Sequence, residues 1–361
     1  MKKAIFFVSL LFLLFPTVSL AEVNPLNSGE TQFEAKIVDV SESFIRVEDE
    51  NRQRFSVEQM DLLGAKNQFH AGDKVLVNKI VMEDGSEQYI ITDVVRKKTI
   101  YFIIALFIVI VLLLYRRQGL RALLSLMLSL LVIIFFIAPL ILQGKNSLLV
   151  TIFGSTIILL LMMYITHGFK KKTHSAFIGI FISVIIGGIL SYLFVSWASL
   201  SGFVQDEATF IISLGYTDVD MRGLLLSAII IGMLGVLDDM AINQASIVKE
   251  LHEVDKNLDR KTIYKKAMRV GRDHVGSMIN TLLFAYIGAS FPLFLMFVIK
   301  QPPFDTLGGV LNNEIVATEV IRTLVGSIAL LLSVPITTWV AVRIILSHQR
   351  QGSRPGTEKK K

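Results

Sequence analysis

Between residues 99 and 346 the chain carries seven apolar stretches in succession, at 99–115, 120–142, 147–166, 175–198, 222–248, 275–299 and 317–346. Each is near the length of about 20 residues that a helix needs to cross a hydrocarbon core. So much apolar surface has no single aqueous core to hide in, and the helices must face lipid. With 53% of its residues hydrophobic, 18% charged and a mean hydropathy of +0.60, the composition excludes an ordinary soluble enzyme. The expected fold class is predominantly α, a polytopic membrane helical bundle of about seven transmembrane helices.

Charge placement turns that expectation into a topology. The segments at 116–121, 167–174, 249–274 and 342–361 hold twenty Lys and Arg, whereas the connections on the other side hold only Lys145 and Lys300. Basic residues stay on the cytoplasmic side, so the mature N-terminus is expected outside and the C-terminus inside, in a bacterial cell membrane. The net charge of +6 therefore reports topology, and nucleic acid is excluded as a partner. Cysteine is absent, which removes disulfides, thiolate metal sites and cysteine nucleophiles.

Four regions are expected. Residues 1–21 have a basic start, an apolar middle and small residues at Ser19 and Ala21, the pattern of a signal peptide, with an uncleaved anchor as the alternative. Residues 22–98 alternate polar and apolar in five short runs, QFEAKIVDV, SFIRVED, RQRFSVE, KVLVNKIV and EQYIITDVV, which read as strands of a small extracytoplasmic barrel of the OB or SH3 kind. Residues 71–77, AGDKVLV, are expected to be a turn feeding a strand, and 82–88 a hairpin connection around Asp84-Gly85. Residues 99–347 form the transmembrane domain and 348–361 a basic cytoplasmic tail. Pro139 and Pro335 are expected to disturb their helices. The loop at 249–274, with Leu251, Val254, Leu258 and Ile263 at near-helical spacing, reads as a continuing amphipathic helix on the cytoplasmic surface.

The informative polar residues lie inside the apolar stretches, where lipid penalises them. Asp238 and Asp239 follow an apolar run that begins near Leu224, with Asn243, Gln244 and Ser246 continuing a polar stripe. Adjacent helical residues point about 100° apart, so both acids line one seam only if the helix breaks, for which Gly232 and Gly235 are the candidate points. One reading is a cation or proton site at such a break. The other is that the acids end the helix and pair with Lys249 or the basic loop. Asn280 is expected to be buried deep in the sixth stretch, seeking an interhelical hydrogen bond, and His274 to be solvated. Glu319 and Arg322 stand three apart and are expected to pair; Arg222 is a further partner for Glu314 or Glu319. Metal binding is left open, because no ligand spacing accompanies the acids.

Three runs, GVLDDMAINQAS at 235–246, NTLLFAYIGASFPL at 280–293, and NNEIVATEVIRTLVGSI with VPITT within 312–338, resemble the YibE/F-like family of bacterial multi-pass membrane proteins. The resemblance covers about residues 100–347. It implies a cell-membrane location, no known soluble cofactor, and attention to Asp238, Asp239, Gln244, Asn280, Glu319 and Arg322. The functional expectation is a permease or channel for a small ion or solute, with Asp238, Asp239, Asn243, Gln244, Asn280, Glu319 and Arg322 in its polar interior. The alternative is a non-transporting scaffold whose β-domain and basic loop dock partners. Nothing resembling a nucleophile constellation, phosphate loop or zinc signature is present, so neither an enzyme nor a cofactor is expected. Homo-oligomerisation and a protein partner on the β-domain stay open.

Overall fold

The computed structural model describes residues 31–41, 44–58, 69–82, 85–204, 206–302 and 304–347; the expected signal sequence and basic tail lie outside them, as does Asp84 of the expected hairpin connection. Two compact units divide the chain, one within residues 19–119 and the other from Leu120 onward.

In the first unit all five strand runs form: β1 (Thr31–Val40), β2 (Phe44–Asp49), β3 (Arg54–Glu58), β4 (Lys74–Val81) and β5 (Glu87–Val94). They pair antiparallel in the order β3-β2-β1-β4-β5. Alternation puts Ile37, Ile45, Val47, Val57, Val75 and Val77 into a dry core. The expected barrel does not close. Among the described residues β3 and β5 make no ladder, and the sheet is a half-barrel, coiled by register shifts at Ile37/Asp39 and Leu76/Val77. β3 is only five residues long, and the rings of Phe33, Phe55 and Tyr89, with centroids 4.6–6.2 Å apart, fill the space where backbone pairing would close it.

The helices depart from the expected list of seven. Among the described residues five are long and apolar enough to cross a membrane, or six if one bent pair counts as a single span. The first two expected stretches fall in one helical run of 46 residues, Lys97–Leu142, made of α1 (Lys97–Val132), a π-helical turn (Ile133–Ile137) and α2 (Ala138–Leu142). Within α1 two helices meet at a kink at Arg116, φ 46° and ψ −121°, where the expected connection RRQGLR begins; the strong helix formers after it return at once to helical geometry. Pro139 acts one turn earlier than itself. Its missing N–H leaves the helix to widen, and Ala138 N–H reaches back five residues to the Ile133 carbonyl.

Then follow α3 (Ser147–His167), α4 (Lys171–Trp197), short α5 (Asp206–Ser213), α6 (Met221–Val254), α7 (Arg260–Ala289), α8 (Phe291–Ile299), short α9 (Leu307–Asn312) and α10 (Glu314–Ile345). The sixth stretch is not one straight helix. Pro292 has no N–H for the Gly288 carbonyl, and α7 and α8 meet at 71°. Nor is 249–274 one amphipathic helix. α6 runs on to Val254, the chain turns, and Asp259 caps α7 by accepting the Thr262 N–H, so that Ile263 packs into the main core instead of lying on a surface.

The core of this unit is the packing of α4, α6 and α10, with α3 against α4 and α6 and α7 against α6 and α10. Small residues set the spacing. A Cβ at Gly187 of α4 would stand 2.5 Å from the Met233 sulfur of α6. α10 continues as one helix through Pro335.

Candidate functional site

α6 is the most buried of the five spans that are long and apolar enough to cross a membrane, and its outward face lacks the large apolar residues that α3, α4 and α10 expose. From Met221 to Lys249 its exposed positions are Ala228, Gly232, Gly235, Asp239 and Asn243, spaced four, three, four and four residues apart. That spacing is one line along a helix. Not one large apolar residue stands on it. On α3, α4 and α10 the exposed positions carry Leu, Ile and Phe, for example Phe153, Ile189, Leu193 and Leu324, whereas α7 shares the small and polar character of this line at Gly276, Ser277, Asn280, Thr281 and Gly288.

The helix does not break at the glycines, and it does not end at the acids. It continues for fifteen residues past Asp239, about 22 Å. The two carboxylates therefore part: Asp239 sits on the exposed line, while Asp238 turns into the bundle, half-buried, with its Oδ1 buried and lacking a hydrogen-bond partner. Lys249 is not their counter-ion, since its Nζ lies 2.8 Å from Glu253 and 3.4 Å from Glu250. Among the described residues neither acid has an ion-pair partner. Both expectations for the acids, the broken helix and the terminal pair, give way to an unbroken helix with one acid outward and one inward.

Gln244 takes a different part. It has no exposed surface, and its Nε2 donates to the Ala267 carbonyl of α7 at 2.9 Å and to Thr338 Oγ1 of α10 at 2.7 Å. Thr338 Oγ1 in turn donates to the Val334 carbonyl at 2.6 Å. α7 comes this close because Gly271 faces the amide: a Cβ there would stand 2.7 Å from Gln244 Oε1 and 2.8 Å from Val334 Cγ1. Gln244 thus clamps three helices, and its Oε1 has no partner. Gly271 is not among the residues that sequence pattern singles out; a lone glycine inside a helix is its only local signal.

Asn280 is exposed on α7 and not buried as expected, because α7 meets the bundle through Ile263, Ala267, Gly271, Val275 and Leu282, with Tyr264, Met268, Met278 and Ile279 beside them, and Asn280 stands off that face. His274 is exposed as expected. The Glu319–Arg322 pair forms at 3.0 Å with both side chains largely buried, and Arg322 Nε keeps no partner. Glu319 shares a mostly apolar cleft of about 390 Å³ with Tyr286, whose hydroxyl reaches toward Gly232. Arg222 reaches neither glutamate; it donates to the Val195 carbonyl at 3.2 Å. Glu314 instead accepts from the backbone N–H and hydroxyl of Ser201, at 2.5 and 2.7 Å, and ties the connection after α4 to the start of α10. The site residues thus fall into three places: the α6 line with Asp239 and Asn243, the buried Gln244 clamp, and the Glu319–Arg322 pair near Tyr286. Among the described residues no group of three or more His, Asp or Glu side chains is gathered to hold a metal.

Comparison with curated proteins and with solved structures finds no match to the chain. All three groups of polar residues lie inside the span 103–347 over which the chain matches the YibE/F-like protein family, and the chain belongs to that family.

Proposed function

We propose that the protein is a permease or channel for a small ion or solute in a bacterial cell membrane, with the outward line of α6 as a wall of its polar pathway. The single observation behind this reading is the make-up of that line: Ala228, Gly232, Gly235, Asp239 and Asn243. A carboxylate and a carboxamide against lipid are disfavoured by a few kcal/mol, whereas against water they are not. Small residues beside them leave room for a solute.

The same reading has seven crossings. The 46 residues of Lys97–Leu142 hold about 69 Å of helical rise, more than twice the ~30 Å hydrocarbon core, and count as two crossings divided at the Arg116 kink. α7 and α8 make one broken crossing. Twenty basic residues against two support an orientation with the β-sheet outside and the C-terminus in the cytoplasm. The protein is no enzyme in this reading, and a signal sequence directs its N-terminal region outward.

Purified protein in proteoliposomes, tested against a broad panel of ions and metabolites, is expected to give flux that falls at least about tenfold in Asp239→Asn, a loss of roughly 1.4 kcal/mol in the rate-limiting interaction. Absence of flux across the panel, together with an intact cellular phenotype in the Asp238→Asn, Asp239→Asn double variant, would sink transport. The scaffold alternative makes the opposite demand: deleting residues 22–96 abolishes its function but only dulls a permease.

A further inference from the structure

The outward line of α6 is not open along its whole length. A Cβ at Gly235 would meet nothing within 4 Å, but three residues earlier, at Gly232, it would stand 3.2 Å from the hydroxyl of Tyr286. That hydroxyl reaches over from α7, and Gly232 admits it because a glycine has no side chain to stand in its way. No hydrogen bond to any described residue fixes the hydroxyl there, although a phenolic O–H can both donate and accept. Ala228 lies on one side of this crossing, and Gly235, Asp239 and Asn243 lie on the other.

Tyr286 also lines the cleft of about 390 Å³, together with Leu283, Ile287, Leu324 and Glu319. Gly232 is absent from that lining, so the ring separates the α6 line from a space into which it can turn by a change of rotamer. An acceptor borders that space. Glu319 is held by Arg322 at 3.0 Å through one oxygen, and a carboxylate has lone pairs for more than one donor. One side chain thus has two places to go, against glycine backbone or beside a carboxylate. We infer that Tyr286 forms the constriction of the proposed pathway: it closes the α6 line at Gly232 and opens it by turning into the cleft, where Glu319 accepts its hydroxyl. With the ring turned away only glycine backbone remains at that point, and the size of the solute limits passage there. This deepens the permease reading and rests on it.

A constriction has two sides, and thiols placed on either side of Gly232 report them. Ala228→Cys and Gly235→Cys, each in the full-length protein, are treated with a charged, membrane-impermeant maleimide in intact cells and in inverted membrane vesicles. With Tyr286 present the two thiols are expected to react from opposite sides of the membrane. Each reacts at least about tenfold faster from its own side, because the thiolate must meet the reagent in water. Tyr286→Ala should abolish that preference for Gly235→Cys, and Tyr286→Phe, which keeps the ring and loses only the hydroxyl, should reduce it. Leu282→Ala, which loosens α7 where it packs near Gly326 without touching Gly232, should leave it intact. Elution of each variant as a single species in detergent shows that it has folded; should Tyr286→Ala fail to fold, Tyr286→Phe decides. Unchanged sidedness in the Tyr286 variants, labelling from both sides with Tyr286 in place, or an equal loss of sidedness in Leu282→Ala overturns the inference and leaves the permease reading standing. Absence of labelling at both thiols from either side overturns the permease reading, and the constriction with it.

Discussion

The first half of α1 and the outward line of α6 are both exposed stretches of apolar helix, and they could hardly be built more differently. From Ile100 to Tyr115 α1 shows Phe, Ile, Leu, Val and Tyr on every side; Phe102 is 67% and Leu113 72% exposed. Such a helix suits hydrocarbon all round. α6 exposes only Ala, Gly, Gly, Asp and Asn along one line and buries its large side chains in the bundle. In the proposed reading exposure in α1 means lipid, while exposure in α6 means water, the medium that Asp239 and Asn243 tolerate.

The chain has no cysteine, so this contrast can be tested one thiol at a time without altering any native residue first. Gly235→Cys and Asp239→Cys should react with a charged, water-soluble maleimide at least about tenfold faster than Leu113→Cys, because the reactive thiolate needs water and a thiol facing lipid stays protonated. Labelling of Leu113→Cys as fast as the α6 thiols would erase the difference between the two surfaces.

A second, smaller effect separates the open line of α6 from its buried side. Gly271→Ala forces a methyl against Gln244 and Val334 at under 3 Å, and overpacking of that kind costs about 1–3 kcal/mol. Asp239→Asn, on the exposed line with no partner to lose, should stay within roughly 0.5 kcal/mol of the parent. Apparent Tm of the purified variants in one detergent reads both. A loss of stability in Asp239→Asn equal to that of Gly271→Ala would make the line structural, and the comparison would fail.

Both surfaces are partly legible in the order of the amino acids alone. The β-runs are patterned by strict alternation, a signal carried within a few residues, and each forms a strand. Asp238, Asp239, Glu319 and Arg322 declare themselves because charge inside an apolar stretch is conspicuous. Direction is what local pattern does not convey. Whether Asp239 points out and Gln244 in depends on which face of α6 meets α4, α7 and α10, and that is decided by Gly187, Gly271 and Thr338 on distant parts of the chain. Helix ends are equally hidden: RRQGLR reads as a loop by charge, yet the chain leaves helical geometry there only at Arg116, and Asn280 reads as buried because nothing local reveals which face of α7 meets the bundle. Closure of the sheet fails for a like reason, since it hinges on the short β3 and on three rings from separate strands.

The smallest expected effect lies in the sheet, where charge is handled in the opposite way from α6: acids there have partners and stand in water. The Lys97 ammonium hydrogen-bonded to Glu34 holds that carboxyl below its ordinary value of 4.5, and hydrogen bonds from Lys79 and Tyr89 do the same to Glu87. Asp93 is drawn below 3.8 by the Val94 N–H and then by Arg96. Groups whose folded values are depressed contribute stability above their unfolded values and lose it as pH falls through the folded ones. Amide exchange in β1, β4 and β5 of the full-length protein, corrected for intrinsic rate, should therefore be level from pH 7 to about 5 and quicken progressively below about 4.5. Because these pairs are exposed, the change should be modest and should shrink in salt. Glu87→Gln should flatten the part of it reported by β4 and β5, since Lys79 and Glu87 join those two strands across the ladder. Exchange that slowed on acidification would mean that the sheet's carboxylates repel one another more than their partners hold them, and the contrast between a partnered surface and the unpartnered line of α6 would be lost.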